Sequence, residues 1–587
     1  MRGSMTWPAG IPTPSDPRVA AALEAWVTAA DPDDHAGALA AVVAAVARAL
    51  EIDVDLLIEE HSVEPTPDVL AVSVDADLLR ETGPWLPGFV REALLSADSR
   101  RRGGVHHTSP EMAATLIDFA ATTRPFTSED IIVDPAVGGG VFLLAACEAL
   151  PGDRGDRIRQ VRGLDIDPLA IATTSASLRL WARGADLPAD SLHVADALHT
   201  SWPVTGATVV VGNPPFLSQL RDGTARDADR RRAMAGRWPE LQGYVDDAAA
   251  FLLAAVDEVG DGGVIALVQP ASFLSARDAE PVRARLAAAA ALVGVWLDGG
   301  RRFAAAVDTV ALVLRKGAVG ASVLRGRGVP AVSLADHAAV GAGSWASLLL
   351  TGAPSLVGSS FVTGVSLGDV AHVTAGFRDQ FYGLRGAVSE GVDGQPQLIT
   401  SGLIDPLECR WGSVSCRFDK QRWHAPTVDP EAVDAAIHDW VGARLVPKLL
   451  VASQTKVIEV AIDTAGHMVP CTPVVSIEPL AGAPGLAHLA AALTSPLASL
   501  LLLEEAAGSA LSSDAMRVSA SALSRLPLPP AGAAWDAAAD AVVEATSAGT
   551  PPTRSQLVEV GRFGLAAYGL GERADILDWW QSRLRGR

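Results

Sequence analysis

A chain of 587 residues is too long for a single hydrophobic core, so two to four domains are expected. With 49% hydrophobic and 20% charged residues it reads as a soluble globular protein with a sizeable core, and its apolar runs, such as Leu286–Leu297, fall short of the roughly 20 residues a membrane span needs. The formal charge of −21 argues at first against a nucleic-acid partner, because phosphate neutralisation supplies most non-specific affinity.

The distribution of charge softens that objection. Residues 1–85 hold fifteen acidic residues against Arg2, Arg18, Arg48 and Arg80, about half of the excess. Local basic clusters stand at Arg100–Arg102, Arg221–Arg237 and Arg410–Arg422, and a local patch can hold a polyanion on an acidic protein. Cys147, Cys409, Cys416 and Cys471 form no CxxC pair and no zinc-like spacing with histidine. No metal is therefore expected. The cysteine usage suits a reducing cytoplasm, and Met1-Arg-Gly-Ser-Met5 has no apolar segment behind it of the kind a secretory signal carries.

In chain order, residues 1–85 begin Pro-rich and continue into Ala/Leu periodicity at Val19–Ala29 and Ala38–Leu50, which predicts an acidic helical N-terminal domain. Residues 86–345 alternate short apolar runs with helical segments. The runs are Ile131–Val133, Val161–Leu164, Ser191–Val194, Thr208–Val211, Val264–Val268, Leu292–Leu297 and Thr309–Leu314. Such alternation predicts βαβ units, a mainly parallel sheet and an α/β fold. Residues 346–587 become Gly- and Pro-rich with scattered β-like runs, then pass near Arg525–Pro530 into a helical tail ending at Trp579 and Trp580.

In an open α/β sheet, ligands bind beyond the carboxyl ends of the strands. The first run ends in Asp134-Pro-Ala-Val-Gly-Gly-Gly140, where glycines admit close backbone approach and the acid suits a positively charged amino group. The second ends in Gly163-Leu-Asp-Ile-Asp-Pro168 and places Asp165 where a ribose diol needs a carboxylate acceptor. After the third comes Asp196, suited to the exocyclic amine of an adenine. After the fourth comes Gly212-Asn-Pro-Pro-Phe216. An sp² amine is a poor nucleophile, because its lone pair is delocalised into the ring. The amide oxygen of Asn213 and the carbonyl of Pro214 can accept its protons, and Phe216 offers a face for a planar base.

In this order the motifs resemble the N6-adenine DNA methyltransferases with gamma-type arrangement, over residues of about 100–320. His107-Thr-Ser-Pro-Glu-Met-Ala113 stands where that family has a Tyr-Thr-Pro-Pro-Glu-Leu-Ala segment, and Asp134–Leu143 resembles its Asp-Pro-Ala-Cys-Gly-Ser-Gly-Thr-Phe-Leu. The departures are His107 for Tyr, Ser109 for Pro, Val137 for Cys and Gly139 for Ser. Phe303-Ala-Ala-Ala-Val-Asp-Thr-Val310 resembles the segment whose aromatic closes the base pocket. The resemblance implies a Rossmann-like class I methyltransferase fold with a mixed seven-stranded sheet, using S-adenosyl-L-methionine. It assigns Thr108, Asp134, Ala136, Gly138, Asp165, Asp196 and Pro215 to the cofactor, and Asn213, Pro214, Phe216 and Phe303 to the target base.

Residues 346–530 resemble, more faintly, the α+β target-recognition region attached to such enzymes, through Val373–Phe381, Pro447-Lys-Leu-Leu450 and the Leu-Pro-Leu-Pro ending. The implied substrate is double-stranded DNA, methylated at N6 of a flipped adenine in a restriction-modification or phage-defence system. Arg221, Arg230 and Arg231 follow the catalytic loop and are expected to grip DNA. So are Arg417, Lys420 and Arg422, which with Arg410, Trp411 and Trp423 fall within fourteen residues.

Rival readings are weighed on particular residues. A cytosine-C5 enzyme needs a cysteine nucleophile, and the one Pro-Cys, Pro470-Cys471, lies in the wrong domain. No lysine precedes Lys316, which argues against an N-terminal nuclease. RNA or protein-amide methylation shares the Asn-Pro-Pro-Tyr/Phe motif, but the long C-terminal region is unnecessary for a small substrate. A DNA-sensing subunit of a defence complex is the non-enzymatic alternative, with residues 1–85 as a possible docking module for a protein partner.

Overall fold

The structure, a computed structural model, describes residues 11–59, 61–95, 108–216, 228–241, 245–298, 308–318, 322–350, 352–354, 356, 360–376, 378–506 and 516–584. Two compact units divide the chain, Met1–Leu348 and Leu349–Arg587.

In the first unit, α1 (Pro17–Ala29) and α2 (His35–Leu50) start at Asp16 and Asp34, whose carboxylates accept the N–H groups of Arg18 and Gly37. Each cap satisfies an otherwise orphaned donor of the first turn. Then come α3 (Ala76–Thr82), α4 (Leu86–Leu94) and α5 (Pro110–Thr123), the last capped by Ser109. The alternating α/β part follows as β1 (Ile132–Asp134), α6 (Val141–Ala149), β2 (Val161–Asp165), α7 (Pro168–Trp181), β3 (Leu192–Val194) and β4 (Val209–Gly212). It continues through α8 (Ala228–Arg237), α9 (Asp247–Glu258), β5 (Val264–Pro270), α10 (Glu280–Ala289), β6 (Ala290–Leu297) and β7 (Thr309–Lys316).

All seven apolar runs are strands, and two more, β8 (Ser322–Arg327) and β9 (Val332–Ala338), extend the sheet to nine. Its order is β9-β8-β6-β7-β5-β4-β1-β2-β3. The chain therefore reverses direction across the sheet between β1 and β4, which are paired in parallel. β7 runs antiparallel to both β5 and β6, which makes the sheet mixed. The two added strands escaped the sequence reading because β8 (Ser-Val-Leu-Arg-Gly-Arg) is half polar; its pairing alongside β6 holds it in the sheet.

The N-terminal helices do not form a separate core. Trp26, Leu39, Val42, Val43 and Val46 belong to one buried cluster with Phe142, Leu143, Leu144, Leu178 and Trp181. The Ala-rich face of α2 thus covers the same side of the sheet as α6 and α7, and its burial is the main stabilisation of this region.

The second unit holds two four-stranded sheets. One is formed by β10 (Ala371–Ala375), β19 (Val475–Pro479), β16 (Lys448–Val451) and β17 (Val460–Asp463), in that order. The other has β11 (Val388–Glu390), β15 (Pro426–Val428), β12 (Gln397–Ile399) and β18 (Met468–Pro470). A hairpin of β13 (Cys416–Phe418) and β14 (Gln421–Trp423) stands apart from both. Lys448 and Asp463 form a wholly buried ion pair at 2.5 Å across β16 and β17, so the Pro-Lys-Leu-Leu segment is an internal anchor. The helical tail, α13 (Ala533–Ser547), α14 (Arg554–Ala567) and α15 (Ala574–Arg583), packs with α11 (Leu486–Thr494) and α12 (Pro496–Ala506) around Trp580 and Tyr568. Among the described residues no single helix is long and apolar enough to cross a membrane.

Candidate active site

The four strands β3, β2, β1 and β4 lie side by side, and parallel register brings their carboxyl ends to one edge. A cavity of about 290 Å³ opens there. Among the described residues it is lined by Asp134, Asp165, Asp167, Asp196 and Glu92 against one cation, Arg91, together with Thr108, Asn213 and Pro215. So acidic a lining would repel a phosphate-bearing cofactor and would attract one carrying net positive charge.

Asp134 is almost fully buried and accepts the N–H of Ala136 at 3.0 Å. Burial pushes its pKa up to about 7, and the neighbouring Asp165 adds to the rise while the Ala136 N–H opposes it. Asp165 is also pushed up by burial, against the bonds it receives from the N–H groups of Asp167 and Gly138, each at 3.0 Å. Gly138 delivers that N–H with a left-handed φ of +54°, a conformation that costs glycine nothing. The glycine turn is tied further by the Val137 N–H to the Leu164 carbonyl at 3.0 Å.

Asp196 caps the turn after β3 by accepting the Leu198 N–H at 3.0 Å, and its other oxygen lies 2.9 Å from His199 Nδ1. Ala136 and Gly138 line the cavity as expected, and so does Pro215. Ile166, between the two acids of the second strand end, is 62% exposed, an apolar surface open to a flat ligand. The sequence reading missed it, together with Phe251 of α9 and Arg91 of α4, all of which line the cavity.

Asn213 sits at the end of β4. Its Nδ2 donates to Thr108 Oγ1 at 3.0 Å, and its Oδ1 is buried with no hydrogen-bond partner among the described residues. A buried acceptor left unmade is expensive and marks a place where a ligand donor is expected. Thr108 lines the cavity, and its hydroxyl oxygen accepts the bond from this amide. Pro214 is buried, and Phe216 packs partly buried against the main core. Phe303 and Arg221 lie outside the described residues; Arg230 and Arg231 are on α8, their side chains likewise outside the description.

In the second unit the basic cluster separates into two kinds. Trp411 Nε1 donates to the Pro426 carbonyl at 2.7 Å and Trp423 Nε1 to the Phe418 carbonyl at 3.2 Å. Both rings pack against buried clusters. Arg410 is held by Asp405 and the Gly402 carbonyl. Arg417, Lys420 and Arg422 are exposed on the hairpin. Arg417 and Arg422 face each other directly across the strands, a like-charge pairing that costs stability unless an anion shares it. The turn between them places Asp419 and Lys420 at φ of 45° and 65°, the left-handed pair of a tight hairpin.

Comparison with known proteins agrees with this geometry. Residues 90–324 match the family model described as N-6 DNA Methylase. Over 120 residues the chain is 32% identical to Type II methyltransferase M.XamI of Xanthomonas campestris pv. amaranthicola. That match spans 20% of this chain and 20% of the relative's length. The Type IIL restriction-modification enzyme MmeI, whose structure is in complex with DNA, aligns over 96% of this chain and 95% of its own. The TM-score is 0.54 at 13% identity, a likeness of fold. The type IIG restriction endonuclease BpuSI aligns over 98% of this chain and 81% of its own, with a TM-score of 0.46 at 14% identity. Residues 90–324 of this chain are a domain of the N-6 DNA methylase family.

Proposed function

We propose that this chain transfers a methyl group from S-adenosyl-L-methionine to N6 of an adenine flipped out of duplex DNA, as the modification activity of a restriction-modification system in the cytoplasm. The observation that carries the reading is the buried Oδ1 of Asn213, without a hydrogen-bond partner among the described residues, beside an acid-lined cavity at the strand ends.

The residues fit the cofactor. Asp134 faces the site expected for its ammonium, Asp165 and the Gly138 turn suit its ribose, and Ile166 with the Ala197 side of the cavity suits its adenine. When bound, it supplies an electrophilic methyl carried on a sulfonium. The chain's own residues prepare the nucleophile. Asn213 Oδ1 accepts a hydrogen bond from one N–H of the target amine and the Pro214 carbonyl from the other, which draws lone-pair density back to nitrogen. Thr108 holds the amide so that Oδ1 and not Nδ2 faces the base. Phe216 supplies a stacking face, and the Phe303 segment is the proposed opposite wall.

DNA recognition is assigned to Arg417, Lys420 and Arg422 of the second unit, with Arg221, Arg230 and Arg231 on the catalytic side. A two-stranded ribbon is one of the shapes the major groove admits. MmeI, similar in fold, was solved in complex with DNA, which supports DNA as the substrate class.

The test is incubation of the purified chain with radiolabelled S-adenosylmethionine and unmethylated plasmid DNA, followed by nucleoside analysis. The reading requires N6-methyladenine. Label appearing only in RNA or protein would move the activity to those substrates, and DNA binding without any transfer would favour a sensing subunit.

A further inference from the structure

Helix α4 has no counterpart among the motifs that define the site, yet it meets the cofactor cavity at two points. Gly88 lies backbone to backbone on the glycine turn: a Cβ there would stand 2.8 Å from the Gly139 carbonyl oxygen, and one on Gly139 would stand 2.8 Å from the Gly88 Cα. One turn later on the same face is Arg91, which is 7% exposed and lines the cavity. Its Nη2 binds Asp167 Oδ2 at 2.5 Å, across 76 residues of sequence. Asp167 in turn caps α7 through the Leu169 N–H, so Arg91 fixes the segment that carries Asp165, Ile166 and Asp167.

We propose that α4 is a wall of the cofactor site and that Arg91 is its positioning residue, holding the Asp165–Asp167 segment in place for the cofactor's ribose. This rests on the methyltransferase reading and adds to it that a helix lying ahead of the recognised motifs in the chain serves cofactor binding. The charged groups around Asp165 are Asp134 from β1, Asp167 from its own loop, Asp196 after β3, and Arg91 and Glu92 from α4. Among them Arg91 is the cation; burial drives Asp165 toward the neutral form, and Arg91 opposes that drive. Without it, the like charge of Asp167 and the burial of Asp165 are no longer opposed by Arg91, and the Asp165 carboxyl takes up a proton at higher pH.

The experiment uses the full chain and two variants, Arg91→Met and Arg91→Lys, titrated calorimetrically with S-adenosylhomocysteine from pH 5.5 to 8.5. Amide hydrogen exchange of residues 86–94 is followed with and without the ligand. The proposal expects wild-type exchange in α4 to slow on binding. It expects Arg91→Met to bind about ten- to thirtyfold more weakly at pH 7, with the deficit widening as pH falls, and Arg91→Lys to recover most of the affinity. Equal affinity of a folded Arg91→Met at every pH overturns it. So does a uniform, pH-independent loss that Arg91→Lys does not relieve, because that is the signature of packing alone. If wild type itself takes up no S-adenosylhomocysteine, the methyltransferase reading fails first and this proposal falls with it.

Discussion

Asn213 Nδ2 donates to Thr108 Oγ1 at 3.0 Å, which engages the nitrogen end of the amide. The remaining Oδ1 is buried and unpartnered among the described residues, an acceptor held ready at the end of β4. A donor placed the other way round would repel the amine protons it has to receive.

From this follows a separation of binding from chemistry. Asn213→Ala is expected to abolish methyl transfer to DNA while changing affinity for S-adenosylhomocysteine by less than about threefold. Thr108→Val frees the amide to rotate, and is expected to lower kcat by about tenfold or more, roughly the worth of one oriented hydrogen bond of 1–2 kcal/mol. Single-turnover methylation and calorimetry on the same preparations check both. Wild-type turnover in Asn213→Ala would rule out the amine-polarising mechanism.

Asp165→Ala removes the carboxylate that accepts the Gly138 and Asp167 N–H groups and that is proposed to hold the ribose. A charge-assisted bond of about 1.5–3 kcal/mol corresponds to one to two decades in Kd. Calorimetric titration with S-adenosylmethionine reads this directly, and unchanged affinity removes Asp165 from the site.

Asp134 gives a pH signature. Its folded pKa, raised from 3.8 to about 7, stabilises the ligand-free protein below the unfolded value, and that share of stability is lost as pH rises through about 7. A bound ammonium group favours the ionised carboxylate and reverses the loss. The gain in melting temperature given by S-adenosylhomocysteine should therefore grow from pH 5.5 to pH 8, and binding near pH 6.5 should release a proton. Asp134→Asn is expected to flatten both trends. A ligand-induced gain independent of pH in the wild type would place the ammonium elsewhere.

The cross-strand pair Arg417 and Arg422, with Lys420 on the turn between them, predicts an electrostatic phenotype. Replacing all three with alanine should weaken DNA binding and reduce the slope of log affinity against log salt by roughly 0.9 for each phosphate that is no longer neutralised. Cofactor affinity should be unaffected. Filter binding over a salt series would show it, and an unchanged slope would free the hairpin from any DNA role.

Trp26 is 2% exposed in the core that α1 and α2 share with α6 and α7. Trp26→Ala is expected to cost about 3–5 kcal/mol in denaturant unfolding of the first unit. Deletion of residues 1–85 uncovers the same surface and should abolish cooperative melting together with cofactor binding. A truncated chain that melts as sharply as the full one would show that the methyltransferase sheet is complete without these helices.

The sequence by itself determined the α/β class, the seven runs that became strands, and the identity of Asp134, Asp165, Asp196 and Asn213 as strand-end residues. These were legible because a buried parallel strand announces itself as a local apolar run, and the loop that follows it is adjacent in sequence. Tertiary structure alone decided the rest. Thr108 meets Asn213 across 105 residues and Arg91 meets Asp167 across 76, separations over which no local periodicity carries information. The same holds for the N-terminal helices, whose apolar faces read equally well as a private core or as a cover for the sheet. Trp411 and Trp423 sit in an exposed-looking basic segment, and only the carbonyls that accept their indole N–H groups show that they pack inward. A residue's type fixes what it can bond, while its neighbours in space fix what it does bond.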